Sequence, residues 1–289
     1  EGIVSPTESV KEQVLAVLHD LSTLKKEHYT NTKLEVSNIQ RREIAFANQG
    51  EEGIKGRAQY FASIEDLTKH LENTTNIVAV YASIGYYLDP QVYSPSKRGL
   101  TGYDLVFDVD MKYTQENRVE WMHEVCYRTS ALMDVLVEDL GFSRDDMVLD
   151  FSGGKGFHIT IENESFRNLS KDDRIDLVNY IKGEKIIRKN LTAGKGGWNN
   201  KYKEYINRII RLMTNDEKVN YKRLQLLNLP NETAKKISDL MINAANRNTV
   251  SQGHLGLFDA KVSKSLQNDF YNEQKELFSC VDQKVTPDR

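Results

Sequence analysis

Apolar positions along the chain repeat with two different periods, and their succession predicts a mixed α+β fold. Val10, Val14, Leu15, Val17, Leu18 and Leu21 follow Pro6-Thr7-Glu8 at helical spacing, so a helix is expected to open the chain and end near Tyr29. Arg41 to Ala47 alternates as a strand does, and Asn48 to Gly56 reads as a turn. Ser63-Ile64-Glu65-Asp66 resembles a capping box that opens a short helix to Leu71. Ile77 to Tyr87 is β-branched and aromatic, which predicts a strand, and Gln91 to Gly99 predicts a loop. Leu105-Val106-Phe107-Asp108-Val109-Asp110 is a further apolar run and reads as a buried strand. Thr114 is expected to cap a long helix that ends with Gly141 in the C′ position. Its apolar stripe reads as Val119, Met122, Cys126, Leu132, Met133, Leu136 and Leu140. Met147 to Phe151 and Phe157 to Ile161 are strands on either side of a glycine-rich turn, giving a mixed sheet with helices on one side.

From Ser170 the pattern turns helical. Ser170-Lys171-Asp172-Asp173 starts a helix through Ile181, and a glycine-broken loop follows at Leu191 to Gly197. Helical patterns then fill Lys201 to Leu227, Glu232 to Asn246 and Ser263 to Phe278. Cys280 to Thr286 reads as a last strand. The expected organisation is a catalytic core of residues 1–165 and 250–289, with residues 166–249 as an inserted helical subdomain.

Composition narrows the picture only a little. The 289 residues are 39% hydrophobic and 28% charged, which are globular values, and the net charge of −3 does not advertise nucleic-acid binding. Any basic surface must therefore be local. One candidate lies between Lys182 and Arg223, where Lys185, Arg188, Lys189, Arg208 and Lys218 are interleaved with Trp198, Tyr202, Tyr205 and Tyr221. It reads equally as a face for single-stranded nucleic acid and as a helical bundle with an aromatic core and solvated lysines. Cys126 and Cys280 are too far apart and too few for a disulfide framework, and no sequence-visible zinc site is expected. His123 and Cys126 read as structural. No signal peptide opens the chain and no apolar run approaches the length of about eighteen residues needed for a membrane span, so a cytoplasmic location is expected.

The chemistry concentrates between Tyr103 and His158. Asp108 and Asp110 share one strand face, and two close carboxylates repel unless a cation neutralises them. Hard oxygen ligands on a rigid strand suit Mg²⁺ or Mn²⁺. Downstream, Ser152-Gly153-Gly154-Lys155-Gly156-Phe157-His158 places three glycines within four residues, an unfavourable choice unless the backbone must approach something closely. Free backbone N–H groups with Ser152, Lys155 and His158 make a candidate triphosphate cradle. Asp282 gains meaning only as a third carboxylate beside the pair. Arg42 and Glu43 read by default as an exposed ion pair on a strand.

Taken in order, these motifs resemble the catalytic small subunit of archaeal and eukaryotic DNA primases, within the primase-polymerase superfamily. Phe107-Asp108-Val109-Asp110 is similar to that family's first motif, and the turn from Ser152 to His158 to its second. Val281-Asp282-Gln283-Lys284-Val285-Thr286 is similar to the third, and Arg42-Glu43-Ile44-Ala45-Phe46 to an upstream strand. The resemblance implies a two-metal site at Asp108, Asp110 and Asp282. It implies that Ser152, Gly153, Lys155 and His158 bind the incoming nucleotide, with Arg42 near the cleft. It implies DNA-templated primer synthesis from ribo- or deoxynucleotides on single-stranded DNA, with a large subunit or a fused C-terminal domain as partner. A gap-filling or lesion-tolerant polymerase and a non-catalytic nucleic-acid-binding subunit are the alternatives. Two departures stand out. The family's zinc knob is reduced here to His123 and Cys126, and the basic strand with a further His that follows the third motif is expected either to be absent or to come from sequence beyond Arg289.

Overall fold

The computed structural model describes residues 34–74, 76–184, 197–212, 231–246 and 260–283, with isolated positions at 24, 27, 28, 31, 191, 222 and 224. The expected opening helix lies almost wholly outside these residues, as do Lys284 to Thr286 of the expected last strand. The chain divides into two compact units: residues 1–105, 162–169 and 286–289 form one, and residues 106–161 and 170–285 form the other. By this division residues 170–249 of the expected insertion fall in the same unit as the four-stranded sheet.

The first unit holds a three-stranded antiparallel sheet, β1 (Ile44–Asn48), β2 (Gly56–Gln59) and β3 (Ile77–Ala82), ordered β2-β1-β3. Helix α1 (Ile64–Asn73) starts where Ser63 Oγ accepts from the Asp66 amide, and it buries Leu67 and Leu71. Those two leucines join Ile39, Ile44, Phe46 and Ile77 in one core cluster. The strand expected over Ile77 to Tyr87 breaks at Ser83. Ser83 accepts from the Glu43 amide and donates to the Gly85 carbonyl, which turns the chain into a hairpin of β4 (Gly85–Tyr87) and β5 (Leu100–Tyr103). β2 falls partly in the expected turn, since Gly56-Arg57-Ala58-Gln59 carries no apolar alternation to reveal it.

Arg42 and Glu43 precede β1, and they are not an exposed pair. Both are buried, and each binds elsewhere. Arg42 Nη2 lies 2.6 Å from Asp104 Oδ2 and donates to Tyr86 Oη, while its Nη1 and Nε donate to the Ser83 and Ser37 carbonyls. Glu43 accepts from Arg98 Nη2 at 2.9 Å and from Arg57. Burial pushes the Glu43 carboxyl up, but the bonds from Arg57, Arg98 and the Ala58 amide outweigh it and hold its pKa below the usual carboxylate value. A default drawn from exposed strands fails here because a buried charge persists only with its own partners.

The second unit holds a four-stranded sheet ordered β7-β8-β6-β9, from β6 (Leu105–Asp110), β7 (Met147–Phe151), β8 (Gly156–Ile161) and β9 (Val281–Gln283). Its helices among the described residues are α2 (Arg118–Asp134), α3 (Lys171–Ile181), α4 (Gly197–Leu212), α5 (Asn231–Asn246) and α6 (Ala260–Leu277). α2 begins four residues after Thr114, whose amide and hydroxyl instead bind Asn117 Oδ1. The buried stripe is Trp121, Val125, Thr129 and Leu132, whereas Val119 and Cys126 are exposed. Trp121 sets this rotation: its Nε1 donates to the Met111 carbonyl at 3.0 Å and its ring packs on Tyr113. Gly141 ends the segment at φ +75°, the left-handed geometry expected of a C′ glycine. α3 carries the full Ser170/Asp173 capping box.

Trp198, Tyr202 and Tyr205 of α4 are buried around Phe270 of α6. They are core, so these three rings cannot stack on bases. Lys185, Arg188, Lys189, Lys218 and Tyr221 lie outside the described residues. Among the described residues no helix is long and apolar enough to cross a membrane.

Candidate active site

Strand β6 sets the geometry. Phe107 and Val109 are buried, while Asp108 is half-buried and Asp110 exposed on the opposite face. β9 runs antiparallel to β6 in a register that pairs Phe107 with Gln283, Asp108 with Asp282 and Val109 with Val281. Buried residues thus pair with buried residues, and Asp282 faces Asp108 directly. The Asp110 amide extends this pairing by donating to the Cys280 carbonyl at 3.2 Å.

Two carboxylates opposite each other in an antiparallel pair destabilise it, and a third two residues along the same face adds to the repulsion. The donor set is all hard oxygen, which suits Mg²⁺ or Mn²⁺. Among the described residues no three His, Cys, Asp or Glu side chains already close on one point. The backbone brings the three aspartates to one face, and the carboxylates fit a cation that would draw them together.

β8 lies on the other side of β6, and His158 Nε2 stands 3.5 Å from Asp108 Oδ1. In the β7–β8 register Asp150 is opposite His158. One face of the sheet therefore carries Asp150, His158, Asp108 and Asp282 in a row across four strands. Asp150 belongs to no sequence motif and joins this face only through the register.

The glycine turn between β7 and β8 is closed by its own atoms. The Ser152 amide donates to the Gly156 carbonyl at 2.8 Å, and the Gly156 amide donates to Ser152 Oγ at 3.0 Å. Gly153 sits at φ +76°, a conformation that side chains disfavour. The turn is also seated on the end of β6. The Met111 amide donates to the Lys155 carbonyl at 3.0 Å, and a Cβ built on Gly156 would stand 1.7 Å from the Val109 carbonyl oxygen. Only glycine allows β8 to start this close to β6. Lys155 and Gly153 are exposed, and Ser152 keeps its hydroxyl hydrogen free to donate.

Arg42 belongs to the other unit, where its guanidinium already donates to two carbonyls, a phenol and Asp104. A phosphate bound there would have to displace one of those partners. His123 and Cys126 lie one turn apart on α2, both exposed.

The family described as DNA primase small subunit has a sequence model that matches residues 107–288, a span running from the first acidic strand past Asp282. The chain is 29% identical over 221 residues to the DNA primase small subunit PriS of Thermoplasma volcanium, covering 71% of this chain and 64% of that protein. It is 34% identical over 166 residues to PriS of Pyrobaculum calidifontis, covering 54% of this chain and 52% of that one. PriS of Methanocorpusculum labreanum is 30% identical over 150 residues, covering 51% of this chain and 39% of that protein. The chain thus spans between 39% and 64% of the length of these curated relatives. With the acidic strand, the glycine turn and the facing acid of β9 all inside the matched span, this chain belongs to the DNA primase small subunit family.

Proposed function

We propose that the chain is the catalytic part of a DNA primase, joining nucleotides on a single-stranded DNA template without a pre-existing primer. The register that sets Asp282 against Asp108, beside a glycine turn seated on β6, carries this reading. Asp108, Asp110 and Asp282 would hold the divalent ions, Mg²⁺ or Mn²⁺. When bound, these supply charge neutralisation and Lewis-acid polarisation for phosphoryl transfer.

The residues of the turn do the remaining work. Ser152, Lys155, His158 and the exposed backbone of Gly153 bind the triphosphate of the incoming NTP or dNTP, Lys155 as a mobile cation and the others as directed donors. His158, next to Asp108, stands between the phosphate cradle and the acidic face. A primase large subunit, separate or fused, would be the protein partner, in line with the small-subunit name of the relatives.

The test is synthesis on a circular single-stranded template with no 3′ end, in Mn²⁺. Dinucleotides and longer primers are expected from the full chain and none from Asp108→Ala. Extension of an annealed primer without initiation would favour a gap-filling polymerase. Wild-type priming by Asp108→Ala would refute the assignment of the acids.

A further inference from the structure

Asp282 stands exposed on β9 between Val281 and Gln283, which are buried. Among the described residues β9 spans three positions at the edge of its sheet, and its ladder bonds come from one neighbour, β6. It follows α6 after the short turn Phe278-Ser279-Cys280. The last carbonyls of a helix have no partner within the helix and attract cations.

Here the Ser279 amide and hydroxyl donate to the Glu276 carbonyl, and Arg128 of α2 adds a partner from another helix. Its Nη1 donates to the carbonyls of both Glu276 and Leu277, the latter at 3.0 Å. Nε is fixed in turn by Glu124 Oε1 at 2.6 Å, one helical turn back on α2. The turn is therefore held from two sides, by Arg128 at the helix end and by the Asp110 amide at the Cys280 carbonyl. Packing contributes as well, since Phe278 of the turn and Val281 of β9 are buried, but it is incomplete on the α2 side. A cavity of about 300 Å³ opens beside the clamp, with Tyr127 of α2 and Phe270, Gln274 and Leu277 of α6 in its wall.

We propose that Arg128 is a positioning residue for Asp282: it anchors the end of α6 to α2 and so sets where β9 presents its carboxylate to Asp108 and Asp110. α2 follows β6 after the link 111–117, so one helix ties both parts of the acidic face together. Lysine cannot do the same work, because one ammonium cannot match a planar guanidinium that bridges two carbonyls and a carboxylate. The inference rests on the reading that the three aspartates hold the divalent ion.

The test is titration of the full chain with Mn²⁺ alone, with free ion followed by electron paramagnetic resonance. The proteins compared are wild type, Arg128→Met, Arg128→Lys and Asp282→Asn. Loss of a partner that orients a ligand costs about tenfold or more in metal affinity, so Arg128→Met is expected to bind about tenfold more weakly and Arg128→Lys about threefold. Affinity within about twofold of wild type in both Arg128 variants, while Asp282→Asn has lost it, would overturn the proposal. Should Arg128→Met fail to fold by circular dichroism, Arg128→Lys decides alone: the threefold loss supports the proposal and wild-type affinity overturns it. Wild-type affinity in Asp282→Asn would instead refute the three-acid reading, and this proposal with it.

Discussion

Gly156→Ala isolates the seating of the glycine turn. The new Cβ would lie 1.7 Å from the Val109 carbonyl oxygen and 2.8 Å from its carbon, both backbone atoms that cannot swing aside as a flexible side chain would. Real Cβ atoms essentially never approach within 3.0 Å, so the start of β8 must move at least 1.3 Å from β6. That movement takes the 3.0 Å Met111–Lys155 hydrogen bond out of range. A lost hydrogen bond costs about 1 kcal/mol and an overpacked contact about 1–3 kcal/mol, so a loss of about 2–4 kcal/mol in stability is expected. The same displacement carries Lys155 and His158 away from the acids, and a misplacement of about 1 Å at a reacting centre costs on the order of a hundredfold in rate. Gly154→Ala is the control, since its Cβ would meet nothing within 4 Å and its φ is not positive. Urea denaturation followed by priming assays measures both effects. Gly156→Ala with the stability and activity of Gly154→Ala would refute the argument.

Further outcomes follow from other groups. Lys155→Ala should weaken nucleotide binding about tenfold with little change in stability, because an exposed lysine contributes as a point charge to a phosphate; isothermal titration checks this. Arg98→Met leaves Glu43 buried with only Arg57 and a backbone amide, and should destabilise the first unit by about 3 kcal/mol in denaturant melts. Because the folded Glu43 carboxyl lies below its ordinary value, its contribution is complete above that value and is lost as pH falls through the lowered one. Wild type should therefore lose stability on acidification below about pH 4.5, and Glu43→Gln should show a shallower loss there; parallel slopes would count against the ion pair's role. Ser170→Ala removes the α3 capping box and should cost about 1 kcal/mol, read from a thermal melt.

Much of the site was legible because the motifs carry their own periodicity. The alternation in Leu105 to Asp110 places two acids on one strand face, and crowded glycines announce a close backbone approach. What the sequence withholds is register. That Asp282 would face Asp108, and that Asp150 would fall opposite His158, depends on pairings between distant segments that no local pattern encodes. The rotation of α2 was misjudged for a related reason. Met122 and Cys126 suit an apolar stripe as well as Trp121 and Val125 do, and the bond from Trp121 to the Met111 carbonyl decides between them. Arg42 and Glu43 resemble a solvated pair until Asp104 and Arg98, some 60 and 55 residues away, arrive as partners. Arg128 reads locally as an ordinary i,i+4 helix pair with Glu124, and its carbonyl partners lie 148 and 149 residues away.

The most direct measurement is the anomalous scattering of a crystal soaked with Mn²⁺ and a nucleoside triphosphate. Manganese peaks within about 2.5 Å of carboxylate oxygens from Asp108, Asp110 and Asp282, with the triphosphate on the turn from Ser152 to His158, are the predicted result. Manganese bound without Asp282, or a triphosphate seated away from that turn, would contradict it.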